Sequence, residues 1–346
     1  MNTMHPVKKL IIERLKNNSL PLKRKDEFKL GLVIEGGGMR GIVSAGMLVA
    51  IEHFGFRNCF DLIIGSSAGA INGAYFLSDQ TDNTLATYYE NLNNNKFIQH
   101  AAKAIINLLR NRPILSLDYL YNHVLANEKK LNTDMVLNSK IPLKIVASSI
   151  TKRKAVILEN FKNKHQLIQS LWGSTSIPIV TGPPLKFNND HYWDSFMYEA
   201  IPTRTAISLG CTHVLVLRTK PETDTEDKKL SFLEKNVICR HLKVHYGQIF
   251  VRDYCRSVID YCKTLTKLNE AHSDHTSSPF IYSIKPHKGR KLVGQFEKNK
   301  KTLITGAKDG IHAVIENFLN DHPNYEEIKD TITIDQNHYI LKSQKI

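Results

Sequence analysis

Five cysteines in 346 residues, Cys59, Cys211, Cys239, Cys255 and Cys262, form no Cys-x-x-Cys pair. An odd count without that spacing argues against both a disulfide framework and a zinc site, so a reducing, cytoplasmic setting is expected. No stretch approaches the roughly 18 apolar residues that span a bilayer. The opening segment, MNTMHPVKKLIIERLKNN, breaks its apolar residues with charge too often for a signal peptide. The chain is expected to be soluble, at most peripheral to a membrane. It carries no calcium loop of the D-x-D-x-D-G kind, no internal repeat, no low-complexity linker and no nucleic-acid-binding pattern. No metal, cofactor or nucleic-acid partner is therefore expected.

What the chain has in excess is positive charge. Its formal charge is +14 and its pI about 9.4, which favours polyanions such as anionic head groups. The densest cluster places seven Lys and Arg between Lys285 and Lys301 against one acid, Glu297. Either a solvated face or a contact with an anionic membrane accounts for it.

The hydrophobic pattern reads as alternating strands and helices. Val7, Leu10, Ile11 and Leu15 share one face of a short helix, which suits packing on the domain better than anchoring in a membrane. LGLVIE, GGGMRG and VSAGMLVAIEHF read as strand, tight turn and helix, and FDLIIG, SSAG and AINGAYFL repeat that order. Two such units predict an α/β fold with a mainly parallel sheet. Residues 79 to 138 read as helical, including an amphipathic stretch over 96–112. Strands are expected at 142–150, 154–158, HYWD, THVLVLRT and 279–286, and helices at QLIQSLWGS, from 235 to 268 and over 303–319. Residues 221 to 236 read as a charged loop.

Gly65-Ser66-Ser67-Ala68-Gly69 places a G-x-S-x-G pattern where a strand turns into a helix. A serine on that turn is held in a strained conformation with its hydroxyl exposed, and the helix behind it favours developing negative charge. Gly36-Gly37-Gly38-Met39-Arg40-Gly41 also fits the G-x-G-x-x-G dinucleotide fingerprint. That fingerprint needs an acid about 20 residues on, at the end of the second strand. Asp61 has the distance but precedes its strand, and the strand ends in the serine turn instead. The glycine loop is better read as an oxyanion hole than as a nucleotide cradle. Ser67 still needs a base. None of the later histidines stands out, His191 and His213 included, and an aspartate within reach could also serve.

These segments resemble the patatin-like phospholipases. E-G-G-G-M-R-G at 35–41 is similar to the family's glycine-rich motif, G-S-S-A-G at 65–69 to its nucleophile elbow, and the block from His191 to Thr219 to its third motif. The resemblance implies a three-layer α/β/α fold and a Ser-Asp dyad, with Ser67 as nucleophile and Asp194 as base. It also implies oxyanion donation by the amides of Gly36, Gly37 and Gly38. Arg40 would orient the loop, meet a head group or lie unused at the surface, while Gly41, Gly65 and Gly69 support the motifs. A basic segment over 1–28, a catalytic domain over 29–220 and a mostly helical C-terminal extension over 221–346 follow. The implied activity is hydrolysis of fatty-acyl esters in phospholipids or lysophospholipids, without a cofactor. The family's glycines after the aspartate are replaced by Ser195 and Phe196. Strain at Ser195 and bulk at Phe196 would favour the alternative of a weak or silent lipid-binding relative; a nucleotide-binding oxidoreductase is the remaining alternative.

Overall fold

In the computed structural model, which describes residues 4–100, 113–221, 234–289, 291–335 and 338–341, the apolar runs become the centre of one sheet. Strands β1 (Leu30–Ile34), β2 (Leu62–Ser66) and β7 (His213–Leu217) are buried along their whole length. Strands without a polar alternation must be covered on both faces. β1 lies between β2 and β7; β2 also pairs with β3 (Leu143–Ser149), and β7 with β8 (Phe280–Ile284), all parallel. β4 (Lys154–Leu158), β5 (Leu185–Phe187) and β6 (Asp190–Trp193) add antiparallel pairings.

Successive residues of the central strands point to opposite faces. Leu32, Ile34, Ile63, Leu215 and Leu217 join one apolar cluster with α2 (Ile42–His53), α3 (Ala68–Leu77) and the helix Lys300–Phe318. Val33, Ile64, Val214 and Val216 join another with Leu265 and Leu268 of the helix Gln248–Ser273. The result is the expected three-layer α/β/α architecture.

The N-terminal helix α1 (Pro6–Lys16) packs back on the domain, burying Val7, Leu10 and Ile11. Its Arg14, 2% exposed, bonds Asp26 and Asp61. That pairing makes a buried guanidinium tolerable, and it occupies Asp61 at the strand end away from the glycine loop. Against α2 lies the helix Lys300–Phe318, which reads Gly306 and Gly310 into its interior. A Cβ at Gly310 would lie 2.0 Å from the Val43 carbonyl, so the crossing is closer than alanine allows. After residue 220 the chain supplies both helices and β8. The helical run expected from 235 to 268 is divided by Gly247, at φ 96°. Between 79 and 138 the described helices are Thr81–Ala86 and Thr133–Leu137, with wide helical turns at Thr87–Asn91 and Tyr119–Glu128. Most of the expected 96–112 helix and of the 221–236 loop lies outside the described residues.

β3 sets the geometry of the site. Its Ile145 and Val146 pair with β4 on one edge and β2 on the other, while Ser148 and Ser149 pair with β4 and β6. β2 and β6 therefore share an edge of β3, placed end to end, with Ser66 opposite Val146 and Trp193 opposite Ser148. The residues that continue those two strands are Ser67 and Asp194.

Candidate active site

Ser67 adopts φ 53° and ψ −128° between β2 and α3. A side chain in that region costs about 1–2 kcal/mol and persists only where its surroundings hold it. Ser174, fully buried on the helix Lys164–Thr175, does so: its Oγ accepts the Ser67 N–H at 2.8 Å and donates to the Val146 carbonyl at 2.6 Å. The flanking glycines answer to space. A Cβ at Gly69 would lie 2.3 Å from the Ile34 carbonyl, one at Gly36 2.7 Å from Ser67 Cβ, and Gly65 and Gly41 abut Ala70 and Tyr88 as tightly. The two glycine motifs are thus pressed against one another.

The three glycines expected to donate to an oxyanion are not equivalent. The Gly36 N–H is engaged with Ser66 Oγ at 3.2 Å. Gly37 and Gly38, at φ 147° and 59°, make no amide hydrogen bond to the described residues. Beneath them Glu35, 3% exposed, accepts the Thr219 N–H and the Tyr261 hydroxyl, the latter at 2.9 Å. Thr219 Oγ1 in turn donates to the Gly36 carbonyl at 3.1 Å and accepts Arg40 Nε at 3.2 Å. Arg40 is buried and supports the loop from below, neither at the surface nor exposed to a head group.

Asp194 is clamped at every polar group but one. Its N–H donates to the Ser176 carbonyl at 2.7 Å, its carbonyl accepts Ser148 Oγ at 2.8 Å, and its Oδ1 accepts the Phe196 N–H at 2.8 Å. Burial pushes its pKa up to about 6, against which hydrogen bonding from the Ser67 hydroxyl and the Phe196 N–H pulls it down. Oδ2 nevertheless has no partner at full hydrogen-bond geometry. Serine and aspartate thus face each other across a contact still to close. Ser195 is not in the left-handed region, so the strain expected there is absent; the turn Ser195–Met197 instead aims the Phe196 N–H at the carboxylate. Phe196 packs beside Tyr254, ring centroids 6.0 Å apart.

Ser67 lines a cavity, partly open to solvent, whose other walls include Gly38, Ile71, Tyr75, Phe97, Leu117 and Leu120. Ile71 and Tyr75 follow Ser67 by one and two turns of α3, so the cavity runs about 12 Å along that helix. Its walls are almost wholly apolar, and no histidine is among them. His213 sits at the start of β7 with its pKa lowered to about 4 by burial, and exposed His191 lies on β6. Among the described residues the one group with metal-ligand spacing, His287, His312 and Glu316, is outside the cavity walls. Sequence reasoning passed over Ser148, Ser174 and Thr219, because hydroxyl residues at strand and helix ends carry no distinguishing pattern.

The family model described as Patatin-like phospholipase matches residues 32–207. The chain belongs to this family. The description of that family names a phospholipase, which acts on lipid esters, and no nucleotide cofactor. Among curated relatives, the uncharacterized protein YjjU of Escherichia coli K12 is 26% identical over 194 residues, covering 56% of this chain and 52% of its own length. Lysophospholipase nte1 of Aspergillus terreus is 46% identical over 50 residues, 14% of this chain and 3% of its own. The chain thus spans about half of the first and a small part of the second. Of solved structures, VipD from Legionella pneumophila aligns at TM-score 0.45 and 13% identity, over 86% of this chain and 67% of VipD. Human GIVD cytosolic phospholipase A2 aligns at TM-score 0.31 and 14% identity, over 67% and 46% of the two chains. No helix among the described residues is long and apolar enough to cross a membrane.

Proposed function

We propose that this patatin-like domain hydrolyses a fatty-acyl ester of a phospholipid or lysophospholipid through a Ser67–Asp194 dyad. The observation that carries the reading is a strained serine at the wall of an apolar cavity, facing a buried aspartate whose pKa of about 6 suits a base at neutral pH. The acyl chain lies along α3, which brings the ester carbonyl to Ser67. Ser67 Oγ attacks the carbonyl carbon as its proton passes to Asp194 Oδ2. The amides of Gly37 and Gly38 receive the oxyanion, helped by the N-terminus of α3. When the tetrahedral species collapses, Asp194 returns the proton to the leaving alcohol and an acyl-serine remains. Water then attacks the acyl-serine and gives its proton to Asp194. The fatty acid departs as Ser67 is reprotonated.

The net positive charge favours an anionic membrane as the surface where substrate is met. Wild-type and Ser67→Ala protein incubated with mixed phospholipid vesicles, with released fatty acids identified by mass spectrometry, test the reading. Release by the wild type alone supports it. Equal release from both would remove Ser67 as nucleophile, and vesicle binding without release from either would mark a non-catalytic lipid-binding protein.

A further inference from the structure

The histidines the dyad leaves unused include one convergent group. His312 and Glu316 are one turn apart on the helix Lys300–Phe318 and so share a face. His287 comes from the segment that leaves β8. The Nε2 of His312 lies 2.8 Å from Glu316 Oε1, and the Nε2 of His287 contacts Glu316 Oε2. The two rings are 5.2 Å apart, and one donor atom from each of the three residues falls within 4.8 Å of the others. His312 is 7% exposed and fixed by the helix, whereas His287 and Glu316 reach solvent.

We infer that His287, His312 and Glu316 form a binding site for a divalent transition metal, zinc being the ion whose coordination they fit. Two imidazole nitrogens and one carboxylate oxygen are a donor set zinc accepts with a tetrahedral arrangement, and the solvent side leaves the fourth position to water. Each ring turns Nε2 inward, so replacing the two imidazole–carboxylate contacts by one ion asks only for small side-chain movements. The absence of Cys-x-x-Cys spacing, which argued against zinc in the sequence, excludes thiolate sites and not this one. The site fastens the start of a strap with a defined task. Farther along it Val293 is buried against Gly306, and the Gln295 carbonyl accepts the Met39 N–H at 3.1 Å beside Gly38. Zinc here cross-links β8's exit to the helix behind α2 and steadies the segment that borders the glycine loop.

The test is titration of the full chain, purified in chelator and dialysed, with zinc chloride by calorimetry, paired with thermal melts with and without zinc. The variants are His287→Gln and Glu316→Gln, both at solvent-exposed positions. One zinc per chain and a zinc-dependent rise in Tm are expected for the wild type, and loss of both for each variant. Because His241 and His245 are adjacent on another helix and none of the five cysteines is in a disulfide, zinc binding alone does not suffice. Undiminished stoichiometry and Tm shift in both variants would assign the zinc elsewhere and overturn the inference. No saturable heat with the wild type would overturn it equally, leaving a His–Glu–His ion-pair cluster. Circular dichroism of the variants separates lost binding from lost folding.

Discussion

Replacing Asp194 by Asn should abolish turnover and make the protein more stable, with a pH signature that identifies the cause. In the folded chain burial raises the Asp194 pKa from 3.8 to about 6. Below 3.8 the group is neutral in both states and adds no penalty. As pH rises through the interval the unfolded chain ionises first, so the native state, which holds the proton longer, loses stability until both are charged. The whole difference is worth about 3 kcal/mol, and about 1 kcal/mol of it is already lost by pH 4.5. Asn cannot titrate, yet keeps the shape and the acceptor for the Phe196 N–H. The variant's stability relative to wild type should therefore improve by about 2 kcal/mol between pH 4.5 and 7.5. Urea unfolding at the two pH values measures this directly. An unchanged offset, or one that narrows as pH rises, would refute a buried carboxylate held at the expense of stability. In the wild type, kcat/KM should rise with pH through about 6 as the base ionises.

Other expectations concern the nucleophile, the loop, the cavity and the helix crossing. Both Ser67→Ala and Ser67→Gly should be inactive, but the glycine variant should melt at the higher temperature because only it relieves the strained φ of 53°. Gly38→Ala meets the Gln295 carbonyl at 2.8 Å in a positive-φ position, and displacing that amide should lower kcat about 100-fold or more in single-turnover acylation. Across a series of p-nitrophenyl esters, kcat/KM should climb about fourfold per added methylene until the chain fills the cavity, and Leu117→Trp should cut the series short while sparing acetate. Gly310→Ala, which drives a Cβ into the Val43 carbonyl, should cost about 3 kcal/mol or more in chemical denaturation.

The features legible in the sequence are those whose physics is local. A glycine-flanked serine between an apolar run and a helical pattern states its own backbone requirement within five residues, and the uninterrupted apolar strands announce a sheet covered on both faces. Apolar periodicity says that a face is covered without saying by what. For α1 the cover is the domain's main apolar cluster, which takes in Val7, Leu10 and Ile11, while Asp26 and Asp61 receive Arg14. The residue after Asp194 likewise looked strained only because its backbone angles were unknown.

Sequence alone determined the strained serine turn, the glycine loop and the α/β class, since each depends on contacts between near neighbours along the chain. Tertiary structure decided that Asp194 faces Ser67, through β3 carrying β2 and β6 end to end on one edge. It also decided that the Gly36 amide is engaged, that Arg40 lies beneath the loop and that His287 meets His312. Those relations join residues far apart in the chain, and strand register, which no local pattern encodes, sets which of them meet.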